Sequence, residues 1–245
     1  MKALIFAAGL GTRLKPITDT IPKALVPVGG VPMLERVILK LKAAGISDFV
    51  VNTCYFADKV EAFLRGKENF GVRIAVSREA GPEPLETGGG MKFARSLLED
   101  GGPFLAYNVD ILSDLDLEKF LGSCRKDALA NLLVTPPKSS DNRFFLFDDA
   151  MDLVGWTNTS TGEIRGEVSD PAKCKRMSFS GIHLISPDIF PLFESWPERF
   201  SITAFYIAAA AGNRIHGVLD ESLEITDIGS PAALEEANRI YLSRI

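Results

Sequence analysis

Apolar residues fall in short blocks whose period changes along the chain. Residues 3–8 are an unbroken apolar run and read as a buried strand, followed by a glycine-rich loop over 9–16. From 33 to 44, Met33, Val37, Leu41 and Ala44 recur at helical spacing, and Gly45 stops the pattern. A second apolar strand covers 49–53, and Phe56, Val60, Phe63 and Leu64 mark another helix. A third strand covers 72–76, after which a Pro/Gly segment, 81–90, leads into a helix through Phe93, Leu97 and Leu98. The fourth strand, 104–109, ends at Asp110; a helix over 117–124 and a fifth strand over 129–135 follow. Alternating strand and helix predicts an α/β fold, a Rossmann-like and mostly parallel central sheet with helices on both faces.

After Pro136-Pro137 the pattern changes. Short strand candidates at 144–147, 153–156, 163–165 and 179–185 are separated by turn-rich pieces and predict a small mixed or antiparallel extension. Helices return at 202–211 and 231–242. The chain is read as one domain, 1–245, with halves 1–135 and 136–245.

Charge and composition narrow the function classes. The net charge is −5 and Lys and Arg never form a run, so no nucleic-acid footprint is expected. No stretch of about 18 apolar residues exists, which excludes a membrane-spanning helix. The first apolar run stops at Gly9, too early for a signal peptide. Cys54, Cys124 and Cys174 lack CxxC spacing and read as small buried hydrophobes in a reducing, cytoplasmic setting. His183 and His216 are too few for a zinc cage and are expected to be structural or surface groups.

Candidate chemistry starts in the first loop. Glycines let backbone N–H groups approach phosphate oxygens, and Arg13 adds a planar donor. Leu14 stands where a dinucleotide fingerprint needs Gly or Ala, and no Gly-Lys-Ser/Thr triplet exists. Alone, the loop reads equally well as a plain strand-to-helix turn. Lys23, bracketed by Pro22 and Pro27, adds a second cation and makes a polyphosphate clamp the better reading. Asp110 ends a buried strand and Asp227 precedes Gly229; each is either a turn cap or a hard-oxygen ligand for Mg²⁺. Gly88, Gly89 and Gly90 are read either as opening a helix with N–H groups outward or as a plain turn with an N-cap at Thr87. Asp114-Leu115-Asp116, a D-x-D, reads as a helix cap, and Phe144-Phe145-Leu146-Phe147 as a core strand.

Gly9-Leu10-Gly11-Thr12-Arg13-Leu14 followed by Pro22-Lys23 resembles the signature of sugar-1-phosphate nucleotidyltransferases. The resemblance implies a GT-A-like nucleotidyltransferase fold, with 1–135 the nucleotide-binding half and 136–245 the sugar-phosphate-binding half. It implies Arg13 and Lys23 as catalytic cations and Mg²⁺ held by Asp110 and Asp227. Ala8, Gly9, Gly11, Thr12, Gly88 and Asn108 would meet the nucleotide, and Gly181 the sugar phosphate. Val109 replaces a frequent Gly before the metal-binding Asp, and the family's Glu-Lys-Pro segment is absent. Glu163, Arg165, Lys173, Lys175 and Arg176 are expected to be surface charges.

Leu85-Glu86-Thr87-Gly88-Gly89-Gly90 is most similar to the N-acetylmuramate-1-phosphate uridylyltransferase branch, which implies UTP and a role in recycling cell-wall sugars. A mannose-1-phosphate guanylyltransferase-type activity stays open. So do a glycosyltransferase using the D-x-D and a non-catalytic nucleotide-sensing subunit. A monomer or homodimer is expected.

Overall fold

The structure, a computed structural model, describes residues 1–139 and 141–242. In chain order its strands are β1 (Lys2–Phe6), the hairpin β2 (Pro27–Val28) and β3 (Val31–Pro32), β4 (Asp48–Thr53), β5 (Arg73–Arg78), β6 (Phe104–Asn108), β7 (Ile111–Ser113) and β8 (Ala130–Thr135). Then come β9 (Arg143–Phe147), β10 (Leu153–Asn158), β11 (Glu163–Gly166), β12 (Lys175–Ile185), β13 (Ile215–Leu219) and β14 (Ile225–Asp227). The helices are α1 (Met33–Ala43), α2 (Ala57–Gly66), α3 (Glu86–Phe93), α4 (Arg95–Leu98), α5 (Leu117–Ser123), α6 (Ile189–Leu192), α7 (Ile202–Ala209) and α8 (Pro231–Leu242).

β1 pairs in parallel with β4 and β6, and β4 with β5. The fifth apolar run, β8, does not sit beside β6. β12 lies between them and is antiparallel to both, while β13 pairs in parallel with β8. Six strands therefore run one way around a single reversed strand. β12 takes that central place because Ser180–His183 are buried, which an edge strand would not allow.

β12 also joins the sheet to the extension. Gly181 adopts a left-handed φ of 77°, and the register with β8 shifts between Phe179 and His183. That bulge bends the strand and frees its first residues, Lys175–Met177, to pair with β9. β10 and β11 follow as an antiparallel ribbon, as the turn-rich pattern predicts.

Alternate side chains of each central strand feed two apolar layers. Ile5 and Val51 pack beneath α1, α2, α5 and α8 with Val37, Leu64, Phe120 and Leu234. Leu4 and Phe104 pack beneath α3, α6 and α7 with Met91, Phe190, Phe205 and Tyr206. Both faces are covered, which is why these strands are near-continuous apolar runs. The Phe144–Phe147 string is a buried core strand.

Most polar residues in the core are paired; the exception among the described residues is the buried Thr53 hydroxyl. His183 is fully buried in β12, its Nδ1 2.6 Å from the Tyr206 hydroxyl of α7, and burial pushes its pKa down to about 3. It is a structural histidine, while His216 is partly buried and contacts Asp152 at 3.1 Å. The cysteines correct the expectation of full burial: all three are free and only partly buried. Among the described residues no helix is long and apolar enough to cross a membrane.

Candidate active site

The carboxyl ends of β1, β4 and β6 open onto one edge of the sheet, where α/β proteins hold ligands. The β1 loop is shaped by its own packing. Gly11 is left-handed at φ 65° and a Cβ there would fall 2.7 Å from the Thr18 methyl, so only glycine fits comfortably. Buried Thr18 donates its hydroxyl to the Gly11 carbonyl at 2.8 Å, and Leu14 N–H donates to the same oxygen at 2.8 Å. Arg13 is thereby held in a single turn, Thr12–Leu14, with its side chain two-thirds exposed.

Two acids meet through a ladder that short-range patterns do not reveal. β6 ends at Asn108, the chain turns through Val109 and Asp110, and β7 pairs with β14 in antiparallel register. That register sets Asp227 opposite Ile111, and Ile228 N–H donates to the Asp110 carbonyl at 3.0 Å. Residues more than a hundred positions apart thus become neighbours. Lys23 makes a short ion pair with Asp110 Oδ2, both side chains largely buried. Arg13 lies 3.6 Å from Asp227 Oδ2, and Gly229 N–H donates to Asp227 Oδ1 at 2.6 Å. Partial burial, then the charge of Asp110, push the Asp227 carboxyl above its ordinary pKa, against the pull of Lys23, the Gly229 amide and Arg13.

Two cavities share this edge. The smaller, about 220 Å³, is lined by Ala8, Gly9 and Lys23 on one side and by Pro84, Glu86 and Thr87 on the other. The larger, about 660 Å³, is bounded by Arg13, Asp227, Arg143, Ser178 and Gly181. Asn108 and Asp110 border both. Gly181 backs Asn108 closely, since a Cβ on Gly181 would lie 2.5 Å from Asn108 Nδ2.

The sequence-derived residues fall into two groups. Arg13, Lys23, Ala8, Gly9, Asn108, Asp110, Gly181 and Asp227 line one or both cavities. Gly11 and Thr12 do not, and Gly11 serves the shape of the loop. At Gly88 the structure corrects the expectation of outward N–H groups: it lies inside α3, its N–H donates to the Phe200 carbonyl at 2.9 Å, and Gly89 N–H donates to the same oxygen at 3.1 Å. Those amides are used within the protein and do not point at a ligand.

The D-x-D is also accounted for. Asp116 caps α5 by accepting from Lys119 N–H at 3.0 Å, and Asp114 Oδ1 accepts from Glu224 N–H at 2.9 Å. Of the charged residues proposed as surface groups, Arg165 bonds Glu163 at 2.7 Å, and Lys175 donates to the Asp149 carbonyl at 3.0 Å. Sequence reasoning missed Lys138, Asn142 and Arg143, which reach the larger cavity from the β8–β9 connection. Only the Pro136-Pro137 break marked that segment as a loop.

Two cations, two convergent carboxylates and two adjoining cavities define a protein that brings a phosphorylated ligand against a second ligand. Residues 2–145 match the family model described as Nucleotidyl transferase. The chain is 32% identical to an N-acetylmuramate alpha-1-phosphate uridylyltransferase of Neisseria meningitidis, over 98% of both chains. It is 35% identical to one of Caulobacter vibrioides, over 94% of this chain and 93% of that protein. A mannose-1-phosphate guanyltransferase of Aspergillus fumigatus is 29% identical over the whole chain, which spans 65% of that longer protein. Among solved structures, HddC from Yersinia pseudotuberculosis complexed with GMP-PN superposes with a TM-score of 0.78 at 23% identity, covering 98% of this chain and 99% of that one; it shares the fold. The chain belongs to the nucleotidyl transferase family, and the resemblance carried by residues 9–14 and 22–23 is borne out.

Proposed function

We propose that the protein joins UTP to N-acetylmuramate 1-phosphate, releasing pyrophosphate and forming the nucleotide sugar. The observation that carries this reading is the seam between the cavities, where Asn108 and Asp110 border both and Lys23 sits on Asp110. A nucleotide in the smaller cavity and a sugar phosphate in the larger would meet there.

In the reaction an oxygen of the sugar 1-phosphate bonds to the α-phosphorus as the bond from that phosphorus to the pyrophosphate oxygen breaks. The nucleophile is already anionic, so positioning and charge neutralisation suffice and no general base is needed. Lys23 would neutralise oxygens of the reacting phosphates. Arg13, mostly exposed and loosely paired with Asp227, can turn toward charge on the departing pyrophosphate. Asn108 would orient the two substrates from their common wall.

The acid pair fits a Mg²⁺ ion. Asp110 and Asp227 offer hard oxygens, and burial, then the charge of Asp110, raises the Asp227 pKa, a penalty that a divalent cation would relieve. Among the described residues no group of three or more His, Cys, Asp or Glu side chains could cage a metal, so phosphate oxygens and water would complete the shell. When bound, the ion would supply charge neutralisation at the α-phosphate.

Arg143 favours an acidic sugar over mannose. It lines the larger cavity and has no ion-pair partner among the described residues, so a substrate carboxylate would find an unpaired guanidinium. Relatives of both kinds exist, and the choice is testable. Pyrophosphate release should be measured for the common NTPs against N-acetylmuramate, N-acetylglucosamine and mannose 1-phosphates. UTP with N-acetylmuramate 1-phosphate should lead. Faster turnover of GTP with mannose 1-phosphate would replace this reading with the guanylyl one.

A further inference from the structure

The glycine run Gly88-Gly89-Gly90 has a purpose other than phosphate approach, and it lies in what each glycine faces. A Cβ on Gly88 would collide with the Phe200 ring, and one on Gly89 with the Glu198 carbonyl. One on Gly90 would lie 2.8 Å from Glu79 Oε1. The run is a docking track for residues 198–202 on one side and for buried Glu79 on the other.

The contacts along the track are dense. Besides the two amides donated to the Phe200 carbonyl, Phe200 N–H donates to the Leu85 carbonyl at 3.2 Å, and Ile202 N–H donates to Thr87 Oγ1 at 3.2 Å. Arg199 pairs with Glu83 and, at 3.6 Å, with Glu86. From inside, Glu79 accepts from Leu85 N–H and from Asn52 Nδ2, each at 2.8 Å.

This bracing meets a need in the loop. Glu86 lines the smaller cavity with φ 63°, a left-handed conformation that L side chains rarely adopt. Such backbone persists only where surrounding contacts over-determine it, and it clusters at ligand-binding sites. Arg199 grips this strained residue and lines neither cavity.

We infer that residues 198–202 are a strap that holds the 83–90 loop in its nucleotide-binding shape, with Arg199 as its positioning residue. The inference rests on the smaller cavity being the nucleotide site. A loop ordered beforehand loses less freedom when ligand binds, so releasing the strap weakens nucleotide affinity and leaves the reacting centre intact.

The test uses the Trp196 ring, 5.0 Å from Phe200, as a built-in reporter. In a Trp156→Phe background, UTP, GTP, ATP and CTP are titrated by tryptophan fluorescence, and steady-state constants are measured alongside. Arg199→Gln removes two exposed ion pairs, each worth up to about fivefold in an equilibrium constant. The Kd and KM for the preferred NTP should therefore rise by about three- to tenfold. kcat and the KM for sugar 1-phosphate should stay within about twofold, and Arg199→Lys should recover most of the NTP affinity. Unchanged NTP affinity in Arg199→Gln, or an equal rise in both KM values, overturns the strap. If the parent protein binds no NTP, the nucleotidyl-transfer reading falls as well, so the two failures are distinguishable.

Discussion

His183 makes stability depend on pH in a way that can be worked out from its surroundings. The imidazole is fully buried between the rings of Phe6 and Phe179, and among the described residues its polar contact is the Tyr206 hydroxyl. Burial lowers its pKa from 6.5 to about 3, so the folded protein keeps it neutral where an unfolded chain would protonate it. Between those values the unfolded state binds more protons, and stability falls as pH falls. At about 1.4 kcal/mol per unit, the loss is about 2 kcal/mol at pH 5 and about 3 kcal/mol at pH 4. For a domain of this size, the pH 5 loss corresponds to a Tm drop of about 4–8 °C from neutral pH. The control is the double variant His183→Leu with Tyr206→Phe, which removes both polar atoms and orphans neither. Thermal or urea unfolding from pH 7 to 4 should show a shallower slope for the variant, by the amounts above. Equal slopes for the two proteins would falsify the account.

Three further outcomes test the site. Arg13→Ala should lower turnover by about a hundredfold or more with the fold intact, as removal of transition-state electrostatics does; near-normal kcat would remove Arg13 from the chemistry. Asp110→Asn should abolish Mg²⁺-dependent pyrophosphate release without loss of helical circular dichroism, and it also frees Lys23 of its counter-charge; retained activity would leave the acid pair without its role. Gly181→Ala places a Cβ against Asn108 at φ 77° and should lower kcat/KM for both substrates, since Asn108 borders both cavities. An effect confined to one substrate would show that the two cavities do not share that wall.

Much of the fold was legible because its strands are buried on both faces. An unbroken run such as 3–8 can only be a central strand or a buried helix piece, and its length decides for the strand. What pattern could not give was neighbour order. β8 follows β6 in alternation yet sits two places away, because β12 is inserted by pairing between residues that begin about seventy positions apart. Arg13 and Lys23 were legible as cations bordering a glycine-rich loop, Asp110 as a carboxylate ending a strand, and Asp227 as one preceding Gly229. Gly88 misled for the opposite reason: glycine is demanded equally by a phosphate above the backbone and by a protein chain packed against it, and sequence does not say which.

The same ambiguity explains why the acids, rather than the glycines, define the site. Asp110 and Asp227 have no local relation at all; only the β7–β14 ladder and the Ile228–Asp110 bond bring them together. That arrangement is unfavourable by itself, since partial burial and then the like charge of Asp110 oppose ionisation of Asp227. A fold that uses a dedicated two-stranded ladder to hold two repelling carboxylates beside Lys23 and Arg13 gains no evident stability from the pairing. Charged substrates would relieve that repulsion, which is the physical ground on which the proposed chemistry is placed at this edge of the sheet.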